Sequence, residues 1–179
     1  MAEETQILIE RDDLSRIISR MAHEIIERAT SLQELVLVGI RSRGVHLARR
    51  IAKKIADSAK TLPPVGIVDV TPYRDDRAQE QPLPAVGAFE VQVAVDEKIV
   101  VLVDDVIFRG RTIRAALEAI ARLGQPKRIL VAVLVDRGAR ELPIRADIVG
   151  KNIEVAEGER VNVRLVEADG IDRITITRW

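Results

Sequence analysis

Cysteine is absent from this chain, so neither a disulfide framework nor a thiolate metal site is available to it. Histidine is almost absent: His23 and His46 are the only two, too few for a histidine-built metal centre. Aromatic residues make up 2% of the sequence, which leaves little surface for stacking on the bases of an RNA loop. Net charge is missing as well, with 28 Lys and Arg balancing 28 Asp and Glu. That argues against a uniformly basic nucleic-acid binder and leaves room for a local basic patch. No apolar run reaches membrane-spanning length, and the longest, such as residues 99–103, are strand-sized. The start, Met1-Ala2-Glu3-Glu4, is acidic and lacks the basic and apolar parts of a secretory signal. The expected setting is the cytoplasm, with no membrane partner.

What is present suits one domain of 179 residues, 47% hydrophobic and 31% charged. Leu14, Ile17, Ile18, Met21, Ala22, Ile25 and Ile26 recur at helical spacing after Asp12-Asp13. Residues 35–39 (LVLVG), 65–70, 99–103 and 128–135 are short continuous apolar runs, the pattern of buried strands. Helices are expected over about 45–56 and 112–123, the latter stopped by Gly124. Residues 88–95 alternate as a half-exposed strand does, and strand-like pieces recur at 153–155, 161–166 and 174–177. Residues 71–87 hold three prolines and no apolar period, too long and polar for a plain connection. Strands alternating with helices predict an α/β fold with a mostly parallel sheet, whose ligands bind beyond the carboxyl ends of the strands. The segments after three buried strands, 40–44, 104–112 and 136–138, should gather at one edge.

The chemistry concentrates in the second of these. A strand runs into Asp104-Asp105, then Val106, Ile107, Phe108, Arg109, Gly110, Arg111 and Thr112 open a helix. Backbone amides at such a helix start, with the helix dipole, form an anion cradle. Gly110 lets backbone approach a phosphate, and the Thr112 hydroxyl adds a donor. Two adjacent carboxylates accept bonds from vicinal hydroxyls. A phosphate beside two hydroxyls describes a ribose 5-phosphate. A Walker B reading of the acidic pair needs a G-x-x-x-x-G-K-[ST] loop, which the sequence lacks.

This segment resembles the 5-phosphoribosyl-1-pyrophosphate (PRPP) loop of type I phosphoribosyltransferases. Leu37-Val38-Gly39-Ile40-Arg41-Ser42-Arg43-Gly44 resembles that family's pyrophosphate loop, and Thr71-Pro72-Tyr73-Arg74-Asp75-Asp76 the start of its mobile catalytic loop. On the residues alone, Tyr73-Arg74-Asp75 reads equally as a solvated turn. Val135-Asp136-Arg137-Gly138, Arg140 to Asp147 and Val149 to Ile153 are similar to the pyrimidine operon attenuation proteins. The resemblance covers about residues 7–176. It implies a mostly parallel sheet flanked by helices, with a small hood formed largely by about 136–179. It also implies conversion of uracil and PRPP to UMP and diphosphate, with Mg2+ held mainly by substrate. Ile40, Arg41, Ser42 and Arg43 would hold pyrophosphate, Asp104 and Asp105 the ribose hydroxyls, and residues 106–112 the phosphate. Arg74 would close over the pyrophosphate, and Arg137 and Val161 would wall the base. Arg109 stands where the family usually has threonine, and a guanidinium there would replace a hydroxyl contact.

The resemblance implies a second activity: binding of the leader RNA of pyrimidine-synthesis (pyr) transcripts in a UMP- or UTP-dependent way, which attenuates transcription. Arg20, His23, Arg140, Arg145 and Lys151 match the RNA-contacting positions, while Ala139 sits where many relatives carry histidine. The implied assembly is a homodimer or homotetramer. A salvage phosphoribosyltransferase without RNA binding, and a regulator with negligible turnover, are the competing readings.

Overall fold

The apolar runs become strands and the periodic segments become helices. The computed structural model describes residues 4–70 and 88–178. Along the chain lie β1 (Glu4–Glu10), α1 (Arg11–Arg28), β2 (Leu35–Ile40), α2 (Arg43–Ala59), β3 (Val65–Asp69), β4 (Ala88–Val91) and β5 (Ile99–Ile107). Then come α3 (Arg111–Leu123), β6 (Arg128–Asp136), β7 (Ile148–Asn152), β8 (Glu159–Arg164), α4 (Val166–Asp169) and β9 (Arg173–Arg178).

A six-stranded sheet has the order β4-β3-β2-β5-β6-β7. Its pairings are parallel except for the antiparallel edge strand β4. Successive side chains of a strand point to opposite faces, and the core divides accordingly. Leu35, Leu37, Val101 and Val103 face α1 and α2, where Leu14, Ile18, Met21, Leu47 and Ile51 are buried. Val36, Val38, Val100 and Leu102 face the other way, against Ile113, Ala116 and Ile120 of α3. Both faces of the sheet are covered, which is why its strands read as continuous apolar runs.

A second sheet, antiparallel with the order β1-β9-β8, packs Ile9, Val161, Val163 and Ile174 into the α1–α2 side of the core. One of its strands is β1, an element not expected from the sequence. Three further boundaries differ from expectation. β5 continues past Val103 through both aspartates, because Asp104 and Val106 still pair with Val133 and Val135 of β6. The strand expected at 153–155 lies at Ile148–Asn152, alongside β6. Finally, 166–169 form a short helix rather than the end of a strand.

Candidate functional site

β2, β5 and β6 lie side by side and parallel, so the segments that follow them emerge at the same sheet edge. After β2 the chain turns at Arg41-Ser42 into α2. Close packing fixes this turn: a Cβ on Gly39 would lie 2.6 Å from the Cα of Val45, and one on Gly44 would lie 2.6 Å from the Val103 carbonyl oxygen and 3.2 Å from the Cα of Asp104. The glycines that bracket the loop therefore let α2 start directly against β5, which sets the first loop beside the acidic pair.

Asp104 is buried and Asp105 half-buried. Each holds a backbone amide: Asp105 N–H donates to Asp104 Oδ1 at 2.9 Å, and Val106 N–H to Asp105 Oδ1 at 2.9 Å. Beyond them Gly110, at φ +98°, is the N-cap of α3 and offers no side-chain acceptor to the first helical amides. A left-handed N-cap of this kind favours glycine, and backbone amides at a helix start suit an anion.

The three segments and β8 enclose a cavity of about 430 Å³. Of the expected site residues, Ile40, Arg41, Ser42, Arg43, Asp104, Asp105, Val106, Phe108, Thr112, Arg137 and Val161 line it. Ile107, Arg109, Gly110 and Arg111 do not: Ile107 is in the core on the α3 side, and Arg109 and Arg111 both pair with Glu141, Arg109 at 3.2 Å. Arg74 lies outside the described residues. Arg160, Asn162, Val163, Arg164 and Asp169 line the cavity too, although the sequence reading did not single them out. Arg160, Asn162, Val163 and Arg164 belong to β8 and Asp169 to α4, and their place at the cavity follows from the small sheet and the helix between its last two strands.

Three arginines of the wall differ in their surroundings. Arg41 pairs with Glu90 of β4, and that bond holds its pKa above the ordinary value. Arg43 makes a forked pair with Asp169, Nε to Oδ2 at 3.1 Å and Nη2 to Oδ1 at 2.6 Å. Arg137 lies over the Phe108 ring, 4.0 Å from its centroid, with Arg109 at 5.0 Å from the same centroid. Burial, then the positive charges of Arg109 and Arg160, push the Arg137 pKa down.

The expected RNA-contacting residues separate into two kinds. Arg20 and His23 are exposed on α1, and Arg20 donates to the carbonyls of Val149, at 3.3 Å, and Gly150 of β7. That places Arg20 beside exposed Lys151, the next residue of β7, while His23 contacts the Ser19 carbonyl of its own helix at 2.9 Å. Arg145 is exposed in the segment entering β7. Arg140 is turned inward. Its side chain is 20% exposed and pairs with Asp136 at 2.6 Å, and it donates to the carbonyls of Ile144 at 2.8 Å and Phe108 at 2.8 Å.

The family model described as Phosphoribosyl transferase domain matches residues 8–165. The bifunctional protein PyrR of Chloroflexus aurantiacus is 56% identical over 99% of this chain and 97% of its own length. That of Pelotomaculum thermopropionicum is 54% identical over 98% and 97%, and that of Clostridioides difficile 49% over 98% and 99%. Among solved structures, a hypoxanthine phosphoribosyltransferase from Staphylococcus aureus superposes with a TM-score of 0.67 at 19% identity, covering 86% of this chain and 79% of that one. A purine phosphoribosyltransferase from Pyrococcus horikoshii gives 0.64 at 21% identity, covering 82% and 87%. At such identities the solved structures speak for the fold. The strand ends, the acidic pair, the glycine-capped helix and near-full-length relatives thus agree that this chain is a member of the phosphoribosyltransferase domain family and, within it, of the bifunctional PyrR proteins.

Proposed function

We propose that this protein transfers the phosphoribosyl group of PRPP to uracil, giving UMP and pyrophosphate, and that it also binds pyr leader RNA under the control of UMP or UTP to attenuate transcription. The observation that carries the transferase half is the gathering of residues 40–43, the Asp104–Asp105 pair and the start of α3 around one cavity. Each takes a different part of the substrate. The backbone amides at the start of α3 and the Thr112 hydroxyl suit the 5-phosphate. The remaining carboxylate lone pairs of Asp104 and Asp105 suit the ribose hydroxyls. Arg41 and the backbone of 40–43 suit the leaving pyrophosphate. The anomeric carbon gains cationic character as pyrophosphate departs, so the residues act by positioning and by holding the leaving group. Arg74 is assigned to the pyrophosphate on sequence grounds.

Magnesium fits the donors present, since the hard carboxylate oxygens of Asp104 and Asp105 line the cavity and such an ion keeps water and substrate oxygens as its other ligands. When bound it would neutralise pyrophosphate charge. The small antiparallel sheet, together with the segment after β6, is the hood over the base in this reading, with Arg137 and Val161 on its wall. The RNA face comprises Arg20, His23, Lys151 and Arg145, with Arg140 supporting it from within. A homodimer or homotetramer in the cytoplasm is the proposed form.

Two assays test the halves separately. Turnover of uracil with PRPP tests the first. A gel shift with a pyr leader hairpin and an unrelated hairpin, with and without UMP, tests the second. Equal binding of both hairpins would leave a salvage transferase without RNA function.

A further inference from the structure

Residues 137–147 form no helix or strand, yet they are tied down at both ends. At the far end Asp147 N–H donates to the Val131 carbonyl at 2.8 Å, and Val131 N–H donates to Asp147 Oδ2 at 2.8 Å. At the near end the segment hangs from the turn that opens α3. Glu141 N–H and Leu142 N–H both donate to the Arg109 carbonyl, at 3.1 and 3.2 Å. Arg140 Nη1 donates to the Phe108 carbonyl at 2.8 Å. Leu142 and Ile144 lie against Gly110, where a Cβ would be 3.5 and 3.6 Å from theirs.

The Glu141 side chain adds an ionic tie to these backbone ones. Its carboxylate takes both arginines that flank Gly110, Arg109 at 3.2 Å and Arg111. Gly110 is the N-cap of α3, so the bridge grips the turn whose amides suit the 5-phosphate. Neither arginine lines the cavity, and the bridge leaves the phosphate seat open. The same segment displays exposed Arg145, between Ile144 on Gly110 and the anchored Asp147. Arg145 belongs to the proposed RNA face. The phosphate seat and an arginine offered to RNA are thus parts of one bonded unit.

We propose that Glu141 is a positioning residue that couples the nucleotide site to the RNA face. By holding Arg109 and Arg111 it makes the α3 turn and residues 140–145 order as one body. A nucleotide phosphate at the start of α3 fixes the turn, and through Glu141 it fixes the display of Arg145. Order imposed by one ligand need not be imposed again by the other, so the two bind cooperatively. The effect is reciprocal by linkage. This inference rests on the reading that the protein binds leader RNA under UMP control.

The test measures two factors in the wild type, Glu141→Gln and Glu118→Gln. Gel shifts with a pyr leader hairpin, with and without saturating UMP, give the factor by which UMP tightens RNA binding. Calorimetry of UMP, with and without the hairpin, gives the reverse factor. Glu118 is the control, a carboxylate of similar exposure, 41% against 42%, that pairs with Arg122 at 3.3 Å within α3. Both variants lose exposed ion pairs, so their melting curves should stay near wild type. Glu141→Gln should lower the UMP factor roughly two- to fivefold, the worth of exposed pairs, and should lower the reverse factor equally. Affinity for UMP alone and for RNA alone should change little. Glu118→Gln should leave both factors as in the wild type. An equal fall in Glu118→Gln overturns the proposal. A wild type whose RNA binding ignores UMP overturns the nucleotide-control reading and this inference with it. A wild type that responds to UMP, with Glu141→Gln responding equally, overturns the role of Glu141 alone.

Discussion

Replacing Asp169 by asparagine should loosen the small sheet from α2 and weaken PRPP binding together. Arg43 and Arg50 are seven residues apart on α2, which puts them on one helix face. Between them they hold three carboxylates of residues 167–172. Arg43 forks onto Asp169, while Arg50 holds Glu167 at 2.5–2.8 Å and Asp172 at 2.7–3.0 Å. Asp169 also accepts the Leu165 N–H at 2.8 Å, which ties the pair to α4. The side chains of the Arg43–Asp169 pair are 29% and 19% exposed. The pair is thus worth more than a fully solvated one, about 0–1 kcal/mol, and no more than a well-made charged hydrogen bond, about 1.5–3 kcal/mol. An intermediate loss of about 1–2 kcal/mol lowers the Tm of a chain this size by roughly 2–8 °C. Arg43 opens α2 directly after the 40–42 loop, so the KM for PRPP should rise several-fold while kcat changes less.

The pH dependence supplies the sign. The Arg43 bond holds Asp169 below its ordinary pKa, and the Arg50 bond does the same for Glu167. Burial pushes Asp172 up, but Arg50 and the Val166 amide outweigh it and its pKa too is lowered. Carboxylates depressed in the folded chain contribute stability that is full above the ordinary range near about pH 4 and is lost as pH falls through the folded values. The Tm difference between wild type and Asp169→Asn should therefore be largest near neutrality and shrink below about pH 4. Melting curves between acid and neutral pH, with PRPP kinetics at neutral pH, measure both effects. A Tm difference absent at neutrality, or one that persists unchanged in acid, would refute the reasoning.

Other outcomes follow from the same geometry. Asp105→Asn and Thr112→Ala should each weaken PRPP binding by roughly tenfold, the loss of one bond to a charged group, and calorimetry should show this with an unchanged melting curve. Arg140→Ala should lower the Tm, leader RNA binding and uracil transfer together, because its guanidinium ties Asp136 to the Phe108 and Ile144 carbonyls; intact transfer would contradict this. Lys151→Gln and Arg145→Gln should reduce RNA affinity in a gel shift while leaving transfer near wild type. Wild-type RNA binding should also fall steeply with salt, as counterion release requires.

The main sheet was legible in the sequence because β2, β5 and β6 are buried on both faces, so burial shows as unbroken apolar runs. The glycine before α3 and the brackets Gly39 and Gly44 were legible for a different reason, since a local backbone requirement fixes each, and the acidic pair because it ends an unbroken apolar run. The small sheet was not. β1 and β9 pair from opposite ends of the chain, Glu4 with Arg178, and nothing in residues 4–10 alone specifies that partner. Arg160, Asn162 and Asp169 reach the cavity only because that sheet is laid beside the strand ends. The arginines were the least legible. Arg140 and Arg145 are both loop arginines in sequence, yet one is bonded inward and the other is exposed. Arg43 pairs with a residue 126 positions away.

The most direct test of the account is product formation from PRPP and magnesium with uracil, hypoxanthine or guanine offered separately to the purified protein. UMP and pyrophosphate should appear in equal amounts with uracil, and turnover with either purine should be far lower. No product with uracil, or comparable turnover with hypoxanthine or guanine, would contradict it.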